Sequence, residues 1–247
     1  GVGYDNVDTK FLKENNIKLL ITATANAVSV AEHVMYMILT LSKGIVSYDK
    51  MVRDGEFRKA ANQLTTFELL NKEILILGFG RIGKNLIKRC NGFEMNVNVY
   101  DPFVDESVIK KFGGNKVEDL EAAFRTADYI SIHMPLNSKT KNLINLKKLE
   151  IMKKNLIIIN TARGGIINEN DLDIALNKNI IFGAGLDVFE KEPIDLNNPL
   201  LKNKKVLLSP HSATFTEECT ERMGMETVQN LIDFFENKIK NNMIVKL

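Results

Sequence analysis

The stretch Ile74–Gly83, I-L-I-L-G-F-G-R-I-G, constrains this chain more than any other. Isoleucines and leucines at 74–77 run straight into glycines at 78, 80 and 83. A run apolar at every position suits a strand buried on both faces of a parallel sheet better than a strand with one wet face. Within Arg81–Asn91, Ile82, Leu86 and Ile87 fall at helical spacing, so a helix opens inside the glycine motif. Strand, G-x-G-x-x-G and helix together make a dinucleotide-binding fingerprint. Gly78 permits the tight turn, Gly80 lets a pyrophosphate approach the backbone, and Gly83 lets helix pack on strand. The helix then turns free N–H groups and a positive dipole end toward the phosphates.

Taken alone, the glycine motif fits a glycine-rich turn as well. The next strand, Val97–Tyr100, ends in Asp101, 18 residues after Gly83. An acid about 20 residues on is placed to bind ribose hydroxyls. Its carboxylate would repel a 2′-phosphate, which favours NAD over NADP. An Asp101-Pro102 turn is the alternative reading. Strand, glycines, helix, strand and acid in register favour the cofactor.

A chain of 247 residues can bury one large core or two small ones. A net charge of +2 gives no reason to expect nucleic acid or a membrane as partner. Cys90 and Cys219 lack ligand or C-x-x-C spacing and read as unpaired thiols of a reducing cytoplasm. No apolar run is long enough to span a bilayer, and no signal peptide is visible. The three histidines lack metal-ligand spacing, so no metal site is expected. The chain opens abruptly at Gly1-Val2-Gly3 without an initiator Met, and a missing N-terminal piece is expected.

In chain order, Val7–Asn15 reads as a helix, Ile17–Ile21 as a strand and Asn26–Lys43 as a helix. The last carries Ala27, Val30, Ala31, Val34, Met35, Ile38 and Leu41, more apolar surface than one core-facing stripe requires. A subunit contact and a helix between two domains explain that equally well. Residues 44–72 are more polar, with a turn at Arg53-Asp54-Gly55. Helical character follows near Val104–Phe112, Val117–Phe124 and Lys147–Met152, and Asn168 can cap a helix over Glu169–Asn177. Strands are expected at Tyr129–His133, Leu156–Asn160, Ile180–Asp187 and Val206–Ser209, and a closing helix at Thr216–Lys238. This alternation predicts an α/β fold, a Rossmann-type doubly wound parallel sheet.

Ligands in such sheets sit at the carboxyl ends of the strands. Thr161-Ala162-Arg163-Gly164, Asp187, Glu192 and His211 all fall at or just after predicted strand ends. An arginine can hold a carboxylate with two parallel hydrogen bonds. A histidine exchanges a proton near neutral pH, and a nearby glutamate orients its ring and favours the charged form. Cofactor, carboxylate anchor and proton donor are what reduction of a 2-keto acid needs. Singly, Arg163 also fits an exposed loop arginine, Glu192-Pro193 a solvated turn and His211 a strand cap. Their joint placement favours a site.

These residues resemble the D-isomer-specific 2-hydroxyacid dehydrogenases, and the matches span almost the whole chain. They are Gly1–Asp8 (G-V-G-Y-D-N-V-D), Ser29–His33 (S-V-A-E-H), Gly78–Gly83, His133–Leu136, Asn160–Gly164, Asp187-Val188-Phe189 with Glu192-Pro193, and Pro210-His211. The resemblance implies Arg163 as carboxylate anchor, His211 as general acid/base and Glu192 as its partner. It implies that Arg81, Ile82 and Asp101 hold pyrophosphate and ribose, and that Thr161, Ala162, Arg163 and Asp187 line the nicotinamide side. His133 and Pro135, with His211 and Ala213, complete the cofactor lining. Val2, Gly3 and Asn26, with Arg163, would lie at the substrate. His33 is expected to be a packing or dimer residue.

The same resemblance divides the chain into a remnant of a flavodoxin-like substrate domain (1–25), an NAD-binding Rossmann domain (26–214) and a C-terminal helix (215–247) returning to the substrate domain. Residues 26–70 would form a dimerisation helix and arm, making a homodimer. Formate dehydrogenases share the Ser29–His33 stretch but place glutamine where Glu192 stands. The expected substrates are 3-phosphoglycerate, as in serine biosynthesis, and hydroxypyruvate or glyoxylate. Two other readings stay open: an NAD(H)-sensing corepressor-like protein, and an inactive truncated homologue that binds cofactor.

Overall fold

The computed structural model describes residues 1–59 and 64–247. In chain order the elements are α1 (Thr9–Glu14), α2 (Ala27–Lys43), α3 (Ile45–Arg53), a 3-10 turn (Phe57–Lys59), β1 (Glu73–Leu77), α4 (Arg81–Gly92), β2 (Asn96–Tyr100), α5 (Glu106–Lys111) and β3 (Asn115–Lys116). There follow α6 (Leu120–Thr126), β4 (Tyr129–Ile132), α7 (Leu146–Leu149), β5 (Ile157–Asn160), α8 (Glu169–Asn177), β6 (Gly183–Leu186), a second 3-10 turn (Pro199–Lys202), β7 (Val206–Leu208), α9 (Glu217–Phe235) and a last 3-10 turn (Asn241–Met243). The chain divides into two compact units, residues 31–213, and residues 1–30 together with 214–247.

In the larger unit the described residues form a seven-stranded sheet in the order β3-β2-β1-β4-β5-β6-β7. Every pairing is parallel, as the doubly wound Rossmann-type class requires. Leu77, the last residue of β1, sits opposite Tyr100 of β2 on one side and Ile132 of β4 on the other. Strand order therefore reverses beside β1, which leaves a crevice at its carboxyl end.

Alternate strand residues feed opposite faces. Leu75, Leu77, Ile130, Ile132 and Ile158 join Phe124, Leu149, Leu172 and Leu176 from α6, α7 and α8. Ile74, Ile76, Val97, Val99, Ile157 and Ile159 join Val34, Ile38, Leu86 and Ile87 from α2 and α4. Two covered faces explain strands that are apolar throughout. The single chain already buries Ala27, Val30, Ala31, Val34, Met35 and Ile38, so the wide apolar surface of α2 needs no second subunit to account for it. Asn168 caps α8 as expected, its Oδ1 accepting the Asp171 N–H at 3.0 Å. Cys90 and Cys219 are buried and unpaired, and burial pushes the Cys90 thiol up to about 12.

The smaller unit contains α1 and α9. Leu20 pairs with Ile244 in one isolated antiparallel bridge, so the strand expected over Ile17–Ile21 is reduced to that single contact. Ile21 N–H donates to Met243 O and Val245 N–H to Leu19 O, both at 2.9 Å. Two elements lie outside those expected from the sequence. The helix α3 buries none of its residues, and β3 is a two-residue polar edge. Positions 60–63 of the polar 44–72 stretch lie outside the described residues.

Asp128 fastens the amino-terminal end of the sheet. Its carboxylate accepts the Glu73 N–H at 3.0 Å, Lys153 Nζ at 2.9 Å and Asn155 Nδ2 at 3.1 Å. Its own N–H donates to Glu73 O at 2.9 Å, and its carbonyl accepts the Ile157 N–H at 3.0 Å. Burial alone would raise the carboxyl pKa, but these donors outweigh it and hold the group below the usual carboxylate range. Asp128→Ala is expected to lower the unfolding free energy by about 2 kcal/mol in urea titrations, the scale of hydrogen bonds to a charged group. A loss under about 0.5 kcal/mol would contradict this role.

Candidate active site

The chain turns at once after β1, through Gly78 at φ +96°. A Cβ there would lie 2.7 Å from His133 O and 2.9 Å from His133 C, so the turn requires glycine. A Cβ on Gly83 would fall 2.6 Å from Gly78 O, which shows how closely α4 closes on the turn. Gly80 is different. It is exposed, a Cβ on it would meet nothing within 4 Å, and α4 opens there without a side-chain cap. The N–H groups of Arg81, Ile82 and Gly83 in this first turn lack intrahelical partners and suit phosphate oxygens.

Asp101 is fixed against the same turn. Its Oδ2 accepts the Phe79 N–H at 2.8 Å and its Oδ1 the Phe103 N–H at 2.9 Å, with acceptor capacity left on both oxygens. His133 and Thr161, just past the carboxyl ends of β4 and β5, carry buried Nδ1 and Oγ1 atoms with no hydrogen-bond partner among the described residues. Unpaired buried polar atoms cost free energy, and a polar ligand at these strand ends would supply the missing partners. The residues present therefore fit a dinucleotide. His133 Nε2 lies 2.8 Å from Ser131 Oγ, and burial pushes its pKa down to about 3, so the ring is neutral. Pro135 is exposed two residues later.

The loops after β5 and β6 cross at Gly164, where a Cβ would fall 1.9 Å from the Phe189 backbone. That crossing brings Arg163 beside the segment running from Asp187 to Glu192. Asn160 shapes the turn: its Oδ1 accepts the Ala162 N–H at 3.0 Å and its Nδ2 donates to Arg163 O at 2.8 Å. Arg163 Nη1 donates to Ala162 O at 2.6 Å.

His211 follows β7. Its N–H donates to Asp187 O at 2.8 Å, and its backbone sits in the left-handed region at φ +52°. Its Nδ1 is 2.7 Å from Glu192 Oε2, while Glu192 Oε1 accepts the Phe189 N–H at 3.0 Å. Both side chains stay substantially exposed, at 49% and 38%. Facing a carboxylate, Nδ1 carries the proton, which leaves Nε2 to exchange one with a substrate.

The carboxylate of Asp187, expected at the nicotinamide side, is turned inward, with the residue 0% exposed. Its Oδ1 accepts Ser209 Oγ–H and the Ser212 N–H at 2.8 Å, and its Oδ2 accepts the Ala213 N–H at 3.0 Å. Ser209 has one hydroxyl proton, which goes to Asp187. Its oxygen must then accept from His33 Nε2, 3.0 Å away, which sets the His33 tautomer. Burial lowers the His33 pKa, and the Asp187 charge partly offsets that. Ser209 had no sequence signal of a role, and Asn160 entered only as the first residue of the Asn160–Gly164 match. The remaining expected substrate residues, Val2, Gly3 and Asn26, belong to the smaller unit.

Residues 35–213 match the family model described as D-isomer specific 2-hydroxyacid dehydrogenase, NAD binding domain. The chain is 34% identical to a D-3-phosphoglycerate dehydrogenase of Methanocaldococcus jannaschii, covering 99% of this chain and 46% of that protein. It is 36% identical to a glyoxylate reductase of Thermococcus litoralis, covering 99% of this chain and 75% of that protein. The chain thus spans less than half the length of the first and about three quarters of the second. A D-lactate dehydrogenase of Aquifex aeolicus, solved with NAD and lactic acid, superposes with a TM-score of 0.86 at 30% identity, covering 96% of this chain and 75% of that one.

His133 and His33 both take up a proton more readily unfolded than folded. Their contribution to stability is therefore complete above the ordinary value of 6.5 and is lost as pH falls, for His133 down toward about 3. Urea midpoints are expected to drop between pH 7 and pH 4.5, with a shallower drop in His133→Gln. An equal slope in wild type and variant would contradict the assignment.

Proposed function

The chain belongs to the D-isomer specific 2-hydroxyacid dehydrogenase family and carries its NAD-binding domain, and from that premise we propose that it interconverts a 2-keto acid and its D-2-hydroxy acid. The observation that carries this reading is the His211–Glu192 pair at 2.7 Å, set beside the loop crossing that presents Arg163. Glyoxylate and hydroxypyruvate, with the acids of the 3-phosphoglycerate couple, are the proposed substrates. The similarity to a glyoxylate reductase and to a D-3-phosphoglycerate dehydrogenase supports that range.

In the reductive direction, Arg163 binds the substrate carboxylate and draws electron density from the adjacent carbonyl. His211 Nε2 gives its proton to the keto oxygen, and the imidazolium becomes neutral imidazole. Glu192 accepts from Nδ1–H throughout, which holds the ring in place with Nε2 toward the substrate. Gly78–Gly83 and Asp101 would hold NAD(H), whose chemistry would be transfer of a hydride to or from the substrate's second carbon. In the oxidative direction neutral His211 takes the hydroxyl proton at the same nitrogen.

Residues 1–25 are read as part of a substrate domain, with Val2, Gly3 and Asn26 at the substrate. A homodimer through α2 and α3 is part of the proposal, supported by exposed Tyr36, Ile45, Val46 and Val52. A cytoplasmic location suits two unpaired buried cysteines.

NADH oxidation with glyoxylate, hydroxypyruvate, pyruvate and 3-phosphohydroxypyruvate tests the reading. At least one acid should turn over, and His211→Ala should lose about 100-fold or more in kcat with NADH affinity little changed. Unchanged turnover in His211→Ala would overturn the assignment. Asp101→Ser should narrow the preference for NADH over NADPH, and an unaltered ratio would remove Asp101 from the ribose.

A further inference from the structure

Arg222, Glu226 and Asn230 lie one turn apart on α9, and all three bond a single segment, residues 21–25. Four-residue spacing puts them on one helix face. Asn230 Nδ2 donates to Ile21 O at 3.0 Å. Glu226 Oε1 accepts Thr24 Oγ1–H at 2.7 Å, its Oε2 accepts the Ala25 N–H at 3.0 Å, and both oxygens lie 3.4 Å from Thr24 N. Arg222 Nε donates to Ala25 O at 3.0 Å.

Ile21 and Thr22 N–H donate to Met243 O and Gly1 O. The rest of the segment has no sheet or helix to satisfy it, yet Thr22, Ala23 and Ala25 are buried at 4%, 2% and 5%. Buried backbone groups need partners, and α9 supplies those that regular structure does not. The fit is specific in sign. Two carbonyls meet donors, from Asn230 and Arg222, while two amides and a hydroxyl meet the one acceptor-only side chain, Glu226. The segment runs straight into Asn26, whose carbonyl accepts the Val30 N–H at 3.1 Å and so opens α2.

We propose that Arg222, Glu226 and Asn230 form a ladder of positioning residues that sets Asn26 for the substrate, so that the polar face of α9 governs substrate affinity. This rests on the reading that places Asn26 at the 2-keto acid. Glu226 is the central rung. Glutamine there can keep its oxygen on the Ala25 N–H and give its NH2 to Thr24 Oγ1, so bulk and partners stay while the charge that strengthens these bonds is lost. Thr24→Val removes the hydroxyl donor from the other side of the same contact.

The test is steady-state kinetics of the full chain with saturating NADH and the best of the four acids above, alongside NADH affinity. Glu226→Gln and Thr24→Val are each expected to raise KM about fivefold, the effect of one hydrogen bond or of the charge that strengthens it, with kcat and NADH affinity little changed. Faster exchange of the Ala25 amide in Glu226→Gln should accompany the rise, and Glu226→Asp should recover part of the KM. Should Glu226→Gln fail to fold, Thr24→Val, the milder change, decides. An active wild type with unchanged KM in Thr24→Val, or a fall in kcat alone, overturns the ladder and leaves the proposed activity standing. A wild type that binds NADH and turns over none of the acids overturns the proposed activity itself, and the ladder's role with it.

Discussion

A carboxylate with no exposed surface must be met by donors, and the site depends on how Asp187 is met. Ser209 Oγ–H and the N–H groups of Ser212 and Ala213 converge on it. An ion buried without partners costs several kcal/mol, so these bonds hold residues 209–213 over the end of β6. The fold-back forces His211 into the left-handed region at φ +52°, where its N–H reaches the carbonyl of the same aspartate at 2.8 Å. In that conformation its ring meets Glu192 at 2.7 Å. The reactive geometry is a consequence of a charge the solvent never sees.

Two further constraints build the rest of the site. Backbone-to-backbone contact at Gly164 sets the Arg163 loop against Phe189, and similar closeness at Gly78 and Gly83 sets the start of α4 against the end of β1. Each removes a Cβ where two segments must touch, and each lies at the carboxyl end of the sheet near the reversal of strand order. Sheet topology chooses the location, small residues allow the approach, and Asp187 orients the imidazole. The smaller unit uses a different device, a helix whose polar face serves as hydrogen-bond template for an irregular segment.

What the amino-acid sequence reveals follows from which of these needs are local. A strand covered on both faces must be apolar where its side chains enter the core, so residues 74–77 and 157–159 are legible, and glycines mark the turn that follows β1. Asn168 declares the start of α8 because a cap works within three residues. Ile17–Ile21 is apolar like a strand but has one bridging partner, and α3 carries Ile45, Tyr48 and Val52 at helical spacing yet buries none of its residues. At the site, residue type and strand-end position single out Arg163, Glu192 and His211. The inward turn of Asp187 and the bond from His33 to Ser209, 176 residues apart, follow no pattern along the chain. They arise from closure of the sheet.

Hydrogen bonding sets the proton positions of the site before any substrate arrives. With three histidines in the chain, long-range proton–nitrogen correlation spectra of the imidazoles can be assigned ring by ring. On the neutral His211 ring the proton is expected on Nδ1 with Nε2 bare, and His33 is expected to be protonated on Nε2. A His211 ring carrying its proton on Nε2, with Nδ1 bare beside Glu192, would contradict this arrangement.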